Sequence, residues 1–154
     1  MNKLKLIIII IWMGIIFLFS NQPAVESGNL SNSFINKTIV KVYEIFNGET
    51  DSKSREEIIN KYSYFVRKGA HFTVYFILGL LCFTYFKDFT KYPIIYSLIL
   101  CFVYACTDEF HQYFVNGRYC SFIDVLIDSS GTFISLIISR YIFANKHKIW
   151  YNKC

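Results

Sequence analysis

Charged residues are scarce in this sequence, and their scarcity excludes an ordinary soluble domain. Only 18% of the 154 residues are charged, whereas 54% are hydrophobic. A soluble domain carries about a quarter charged residues and spaces its apolar residues at regular intervals. Here the apolar residues form blocks long enough to cross a bilayer, so the composition predicts an integral membrane protein.

The sequence also lacks the patterns of a disulfide framework, a thiolate metal site or a nucleic-acid-binding surface. Its five cysteines are odd in number, show no Cys-x-x-Cys spacing, and include three inside apolar blocks. We interpret them as small apolar residues of helices. The net charge of +5 comes from scattered Lys and Arg, many of which flank the apolar blocks. We therefore expect no nucleic-acid partner.

Four apolar blocks predict an all-α integral membrane protein, a four-transmembrane-helix bundle that forms one domain over residues 1–154. The basic start of the first block also fits a signal peptide, but no A-x-A-like cleavage site follows it, so a retained helix is favoured. The predicted transmembrane spans are residues 4–20, 67–86, 93–114 and 121–143.

The long loop over residues 21–65 is predicted to contain an amphipathic helix, lying on the membrane or packing across the mouth of the bundle. Its apolar side chains recur at helical spacing, with polar residues between them. They are Leu30, Phe34, Ile35, Ile39, Val42, Tyr43 and Phe46.

The distribution of basic residues predicts the orientation in the membrane. Four crossings place both termini on one side, and the short loop opposite contains a single basic residue, Arg118. The positive-inside rule then places both termini in the cytoplasm and the 21–65 loop outside the cell membrane. The basic residues of the short cytoplasmic segments are Lys3, Lys5, Lys87, Lys91, Arg140, Lys146, Lys148 and Lys153.

Ionisable residues of three spans are predicted at one depth of the bilayer. About twenty residues cross the hydrocarbon, so the span that begins at Pro93 ends near Gln112. Eleven uncharged residues separate Asp128 from Arg140, too few to cross alone, so Asp128 lies at membrane depth. The three groups therefore fall at the same, external end: Arg67, Lys68 and His71; Asp108, Glu109 and His111; Asp124 and Asp128.

Such residues predict a polar pocket inside the bundle. Each costs about 2.5–3.5 kcal/mol at membrane depth, so ionisable groups normally face the interior. Arg67 and Arg118 are suited to bind a phosphate or carboxylate bidentately. His71 or His111, between carboxylates, is suited to proton transfer. The candidate pocket residues are Arg67, Lys68, His71, Asp108, Glu109, His111, Gln112, Arg118, Asp124 and Asp128.

Other interpretations of these residues remain open. The side chains can pair as Arg–Asp and His–Asp bridges that only hold the bundle together. Serine catalysis lacks a G-x-S-x-G motif, and transport lacks an inverted repeat. A metal site has suitable ligand types but no HExxH or comparable motif, so we expect no metal and no other cofactor. Its ligands would come from His71, Asp108, His111, Asp124 and Asp128.

Three segments of the chain resemble the VanZ-like family of membrane proteins, and together they cover most of the sequence. The family is named for low-level resistance to teicoplanin, a glycopeptide that carries an acyl chain. The resemblance therefore implies a bacterial membrane protein related to antibiotic resistance. The segments are FSNQPA at 19–24 with Ser27 and Ser31; FVRKGAHF at 65–72 followed by YFILG at 75–79; and TDEFHQYF at 107–114 with Gly117, Arg118, DVLID at 124–128 and Gly131.

Two function classes follow from the pocket and the resemblance. In the first, the protein binds an envelope amphiphile in an outward-facing polar pocket and lowers susceptibility to teicoplanin-type lipoglycopeptides. In the second, it is a membrane enzyme that modifies a lipid or cell-wall precursor with the Asp/Glu/His cluster, although no recognised catalytic signature is present. The expected partners are membrane lipids and a lipid-linked envelope precursor or lipoglycopeptide. The sequence predicts no particular oligomeric state.

Overall fold

The computed structural model describes residues 2–151, and side chains for residues 2–143. All secondary-structure elements assigned within these residues are helices, and four of them are long and apolar enough to cross a membrane: Asn2–Ser20, Ser52–Phe86, Pro93–Gln112 and Phe122–Phe143 of the last helix. The predicted fold class, an all-α membrane protein with a bundle of four spanning helices, is confirmed. The elements are α1 (Asn2–Ser20), α2 (Ala24–Ile35), a π-helical segment (Asn36–Val40), α3 (Lys41–Asn47), α4 (Ser52–Phe86), α5 (Pro93–Gln112) and α6 (Phe122–Tyr151).

α4 and α6 extend well beyond the predicted spans, because hydropathy marks the membrane-embedded part of a helix rather than its ends. α4 begins at Ser52, and no proline or glycine interrupts the polar stretch that leads to Arg67. α5 begins at Pro93, whose missing N–H costs nothing in the first turn of a helix. The predicted basic residues Lys146, Lys148 and Lys153 lie outside the residues whose side chains are described.

The loop between the first two spans is largely helical but irregular. α2, the π-helical segment and α3 follow one another without a break. Of the predicted apolar face, Ile35 is buried and Ile39 is half-buried. The other five apolar residues are exposed, so an amphipathic role at the membrane stays a prediction. They are Leu30, Phe34, Val42, Tyr43 and Phe46.

Contacts at one end of the bundle establish the helix directions. Lys5 Nζ, near the start of α1, donates a hydrogen bond to Asp88 Oδ2 at 2.6 Å, just beyond the end of α4. The rings of Phe83 in α4 and Phe143 in α6 lie 5.6 Å apart. The start of α1, the end of α4 and the part of α6 around Phe143 therefore lie at the same end of the bundle. The opposite end holds the last turn of α5 and the first turns of α6.

Small residues let α4 and α6 approach closely. A Cβ atom at Gly131 would overlap the carbonyl oxygen of Phe72, and one at Gly79 would overlap Oγ of Ser135. Without a hydrophobic driving force between helices, membrane bundles gain stability from such close packing. The close approach brings His71 of α4 beside Asp128 of α6.

Candidate functional site

His71, Asp108 and Asp128 meet between α4, α5 and α6, and we call them the His–Asp cluster. A potential ligand atom from each residue lies within 4.8 Å of those of the other two. Nδ1 of His71 is 3.7 Å from Oδ1 of Asp128. Asp108 is 3% exposed and Asp128 is 0% exposed, so both carboxyl groups are inside the protein. One residue from each of the three predicted groups thus reaches the same point.

Asp108 is held by polar side chains from two helices. Ser20, the last residue of α1, donates a hydrogen bond from Oγ to Asp108 Oδ2 at 2.7 Å. Gln112 Nε2 donates to the same oxygen at 3.3 Å and to Ser20 Oγ at 3.2 Å. Arg118 Nη1 in turn donates to Gln112 Oε1 at 3.0 Å. A hydrogen-bonded chain therefore connects the Arg118 guanidinium to the His–Asp cluster.

Two arginine side chains, Arg67 and Arg118, line the same two cavities beside this chain. Arg118 Nε donates to the carbonyl oxygen of Gln22 at 2.9 Å, which fixes its position. Burial lowers the pKa of Arg118 from its ordinary value, and the neighbouring charge of Arg67 lowers it further. Arg118 nevertheless keeps its charge, because an arginine does not deprotonate at neutral pH. Arg67 has neither a hydrogen bond nor an ion pair within residues 2–143.

Two further acids of the predicted pocket have partners of their own. Lys68 forms an ion pair with Asp124, and its Nζ lies 5.3 Å from the centre of the Tyr64 ring. Glu109 is 1% exposed, and its Oε2 accepts a hydrogen bond from the Ser121 N–H at 3.0 Å, directly before α6. A carboxylate there also interacts favourably with the positive end of the helix dipole.

His111 has a different environment from His71. Its Nε2 lies 3.2 Å from Asn21 Oδ1, and its ring centre lies 4.5 Å from that of Phe17 in α1. It does not belong to the His–Asp cluster. Both histidines were predicted to lie between carboxylates. Among the described residues, only His71 lies beside two of them, those of Asp108 and Asp128.

Two cavities adjoin the cluster. The apolar groove, between α1, α2 and α4, has a volume of about 650 Å³. The polar cleft, between α4 and the segment that precedes α6, has a volume of about 330 Å³. Both cavities are lined by Ser27, Arg67, His71 and Arg118. The groove is otherwise lined largely by Ile16, Phe19, Leu30, Phe34, Val66 and Val74.

Three residues at or beside the site were not predicted as pocket residues from the sequence: Ser20, Gln22 and Tyr75. Ser20 and Gln22 belong to the first segment that resembles the VanZ-like family, and that resemblance was their only signal. Tyr75 lies one helical turn after His71, on the same face of α4. Its side chain is fully buried, and its hydroxyl has no hydrogen-bond partner among the described residues. The helical spacing from His71 is a signal that could have identified it.

These features define a multi-pass α-helical membrane protein with a polar cluster buried between its spanning helices. The VanZ/LLP1 family model matches residues 5–144, nearly the whole chain, and the protein therefore belongs to this family. The family resemblance drawn from the sequence is confirmed. The chain has no significant match among the curated proteins or the solved structures searched.

Proposed function

We propose that this VanZ/LLP1 family member binds an anionic amphiphile of the cell envelope, with the acyl chain in the apolar groove and the headgroup in the polar cleft. One observation carries the proposal: the two cavities share the side chains of Arg67, His71 and Arg118 as a common wall. Their volumes lie within the range of about 300–1,000 Å³ that is usual for small-molecule sites. A single ligand with a polar and an apolar part fits this arrangement.

The charges of the shared wall favour an anionic headgroup. Arg67 and Arg118 repel one another, and an anion between them would remove that repulsion. An arginine has five N–H donors, and Arg118 uses three of them in its hydrogen bonds, which leaves two for a ligand. Arg67, without a partner among the described residues, has its full donor set. A guanidinium group binds a phosphate or a carboxylate bidentately, through two parallel hydrogen bonds, so a headgroup with either anion suits the site.

The apolar groove supplies the second half of the recognition. Leu30 and Phe34 of α2 face the groove together with Ile16 of α1. An acyl chain that comes from the bilayer leaves hydrocarbon rather than water, so the groove contributes shape and van der Waals packing instead of a hydrophobic driving force. The exposed side chains of Leu30 and Phe34 would then be covered by the acyl chain. This assigns a role to α2 that its partly exposed apolar residues otherwise lack.

The biological role in this proposal is a lowered susceptibility to teicoplanin-type lipoglycopeptides. Both termini are cytoplasmic, and the site opens to the outer face of the cell membrane. Membrane lipids, lipid-linked wall precursors and lipoglycopeptides all combine a polar head with an acyl chain. Capture of such a molecule at the outer face changes the access of the antibiotic to the envelope. Membership of the VanZ/LLP1 family supports this role.

Binding in nanodiscs tests the site directly. The full-length protein is placed in zwitterionic lipid, and retention of added phosphatidylglycerol is measured by native mass spectrometry. Arg67→Gln and Arg118→Gln are each expected to weaken binding about tenfold, which corresponds to about 1.4 kcal/mol. Arg140→Gln is the matched control, because Arg140 is exposed and lies in the later part of α6. Equal binding by all three variants would contradict the proposal.

Growth assays test the biological role separately. Cells that express the wild-type chain are expected to tolerate more teicoplanin than cells that carry an empty vector. Arg67→Gln, at equal protein level, is expected to lose that tolerance, and vancomycin serves as the comparison drug. If the wild-type chain gives no tolerance while lipid binding still depends on Arg67, the resistance role is wrong and the binding site stands.

A membrane enzyme is the second candidate, and the His–Asp cluster is the observation that favours it. His71 lines the polar cleft, so a bound headgroup would contact a cluster of acid and imidazole suited to proton transfer. Profiles of lipids and wall precursors from cells with and without the chain test this function. A chemical species that changes with the wild type but not with Asp108→Asn supports an enzyme, and an unchanged profile leaves binding alone.

A further inference from the structure

We infer that His71, Asp108 and Asp128 form a binding site for one divalent metal ion, with zinc as the ion that matches the ligands. An imidazole nitrogen and one oxygen from each carboxyl group lie within 4.8 Å of one another. Imidazole and carboxylate are both common zinc ligands. Three protein ligands with a fourth position open is the arrangement of zinc ions that act on a bound molecule. This inference does not depend on the amphiphile proposal.

The spacing of the ligand atoms fits a shared ion better than direct hydrogen bonds. His71 Nδ1 and Asp128 Oδ1 are 3.7 Å apart, whereas a hydrogen bond between nitrogen and oxygen spans about 2.7–3.2 Å. Two ligands on a tetrahedral ion, each about 2.0–2.2 Å from the metal, lie about 3.4 Å from one another. The His71–Asp128 pair is therefore close to this spacing, and the remaining ligand atoms, which lie within 4.8 Å of one another, would move closer together around the ion.

The ligand atoms have no other partners among the described residues. Both carboxylate oxygens of Asp128, Oδ1 of Asp108 and Nδ1 of His71 are buried without a hydrogen bond. Asp128 is 0% exposed, so bulk solvent does not reach its oxygens. A buried carboxylate without compensation costs several kcal/mol, on the order of what a buried ion pair loses when one partner is removed. One divalent ion compensates both carboxylates at once.

Lys68 and Arg118 are engaged with other groups at this end of the bundle, and Arg67 makes no ion pair with the cluster within residues 2–143. Lys68 pairs with Asp124, and Arg118 donates to Gln112 and to two backbone carbonyl groups. Neither carboxylate of the His–Asp cluster forms an ion pair with a lysine or arginine within residues 2–143. No lysine or arginine of the described residues therefore compensates the two carboxylates through a direct ion pair, which leaves a bound cation or protons to do so.

The surrounding residues are arranged as supports of a metal site. Ser20 and Gln112 both donate to Oδ2 of Asp108, which orients the carboxylate and leaves Oδ1 for the ion. Such outer hydrogen bonds are a regular feature of metal centres. The buried hydroxyl of Tyr75, one turn after His71, is without a partner in the described structure and can donate to a metal-bound water. The open ligand position then adjoins the polar cleft, which His71 lines.

Metal content of the purified protein tests the inference. The full-length chain is produced with a tag that contains no histidine, loaded with zinc and dialysed, and its zinc is measured by mass spectrometry. One zinc per wild-type chain is expected. Asp108→Asn and Asp128→Asn are expected to bind zinc about 100-fold more weakly or not at all. Loss of a hydrogen-bond partner of a metal ligand costs about 10- to 100-fold in affinity, and loss of the ligand itself costs more. Asp88→Asn is the matched control, because Asp88 pairs with Lys5 at the opposite end of the bundle, and it is expected to retain the metal.

A second measurement keeps the test decisive if an Asp→Asn variant does not fold. Cobalt(II) bound by wild-type protein is expected to give the strong visible absorption of a four-coordinate ion, and added zinc is expected to abolish it. Wild-type protein that binds neither ion overturns the inference, since the cluster would then be held by protons alone. Zinc binding that Asp128→Asn and Asp88→Asn retain equally would overturn it too, because the metal would lie elsewhere.

Discussion

Replacement of Gly131 with alanine adds one methyl group where α4 and α6 approach closely. The added Cβ would overlap the carbonyl oxygen of Phe72, a main-chain atom that cannot rotate away. α6 must therefore move away from α4. Overpacking of this kind costs about 1–3 kcal/mol of unfolding free energy. Gly131→Ala is accordingly expected to be less stable than wild type, although alanine is the better helix former.

Gly14→Ala is the matched control for this experiment, because nothing lies within 4 Å of a Cβ at that position in α1. Both variants exchange glycine for alanine inside a helix and share a propensity gain of about 0.5–1 kcal/mol. The difference between them therefore isolates the packing cost. Unfolding of the full-length protein by sodium dodecyl sulfate in mixed micelles, followed by circular dichroism, measures that difference.

The site provides a second readout of the same substitution. Gly131 lies one helical turn after Asp128, and Phe72 directly follows His71, so a shift of α6 also separates the His–Asp cluster. Gly131→Ala is expected to weaken zinc binding, whereas Gly14→Ala is not. Equal unfolding midpoints for the two variants would refute the close approach of α4 and α6, and with it the packing that we hold responsible for forming the cluster.

Two further experiments test the hydrogen bonds and ion pairs of the site. Ser20→Ala removes the hydrogen-bond donor to Asp108 and is expected to lower the unfolding free energy by about 1–2 kcal/mol. This value lies between those for hydrogen bonds across membrane helices and for hydrogen bonds to charged groups. The exposed Ser130→Ala is its control, and equal losses of unfolding free energy would contradict the role of Ser20. A double-mutant cycle with Lys68→Met and Asp124→Asn is expected to give a coupling energy of about 1 kcal/mol, measured by the same unfolding assay. A coupling energy of zero would mean that the pair does not stabilise the fold.

The four spanning helices could be predicted from the sequence because crossing a bilayer has a simple length requirement. Each block of about twenty apolar residues satisfies its backbone hydrogen bonds within one helix. The start of α4 could not be predicted in this way. Its polar first half, from Ser52 to Val66, carries no hydropathy signal, and its continuity with the span depends on the absence of a residue that breaks the helix.

The common depth of these ionisable residues could also be predicted, by counting residues along each helix. Counting does not establish the rotation of each helix about its axis, and rotation determines which side chains meet. His71 and His111 were equivalent candidates in the sequence. In the structure His71 lies beside Asp128, whereas His111 turns toward α1 and contacts Asn21.

The sequence by itself determined that this protein has four membrane-spanning helices and that the ionisable residues within three of them lie near one end of the bundle, since both follow from the energetic cost of polar groups in hydrocarbon. Only the tertiary structure decided their partners. The packing of α4 on α6 at Gly131 brings His71 to Asp128, and the end of α1 delivers Ser20 to Asp108. These contacts join residues far apart in the chain, and no local pattern of amino acids records them.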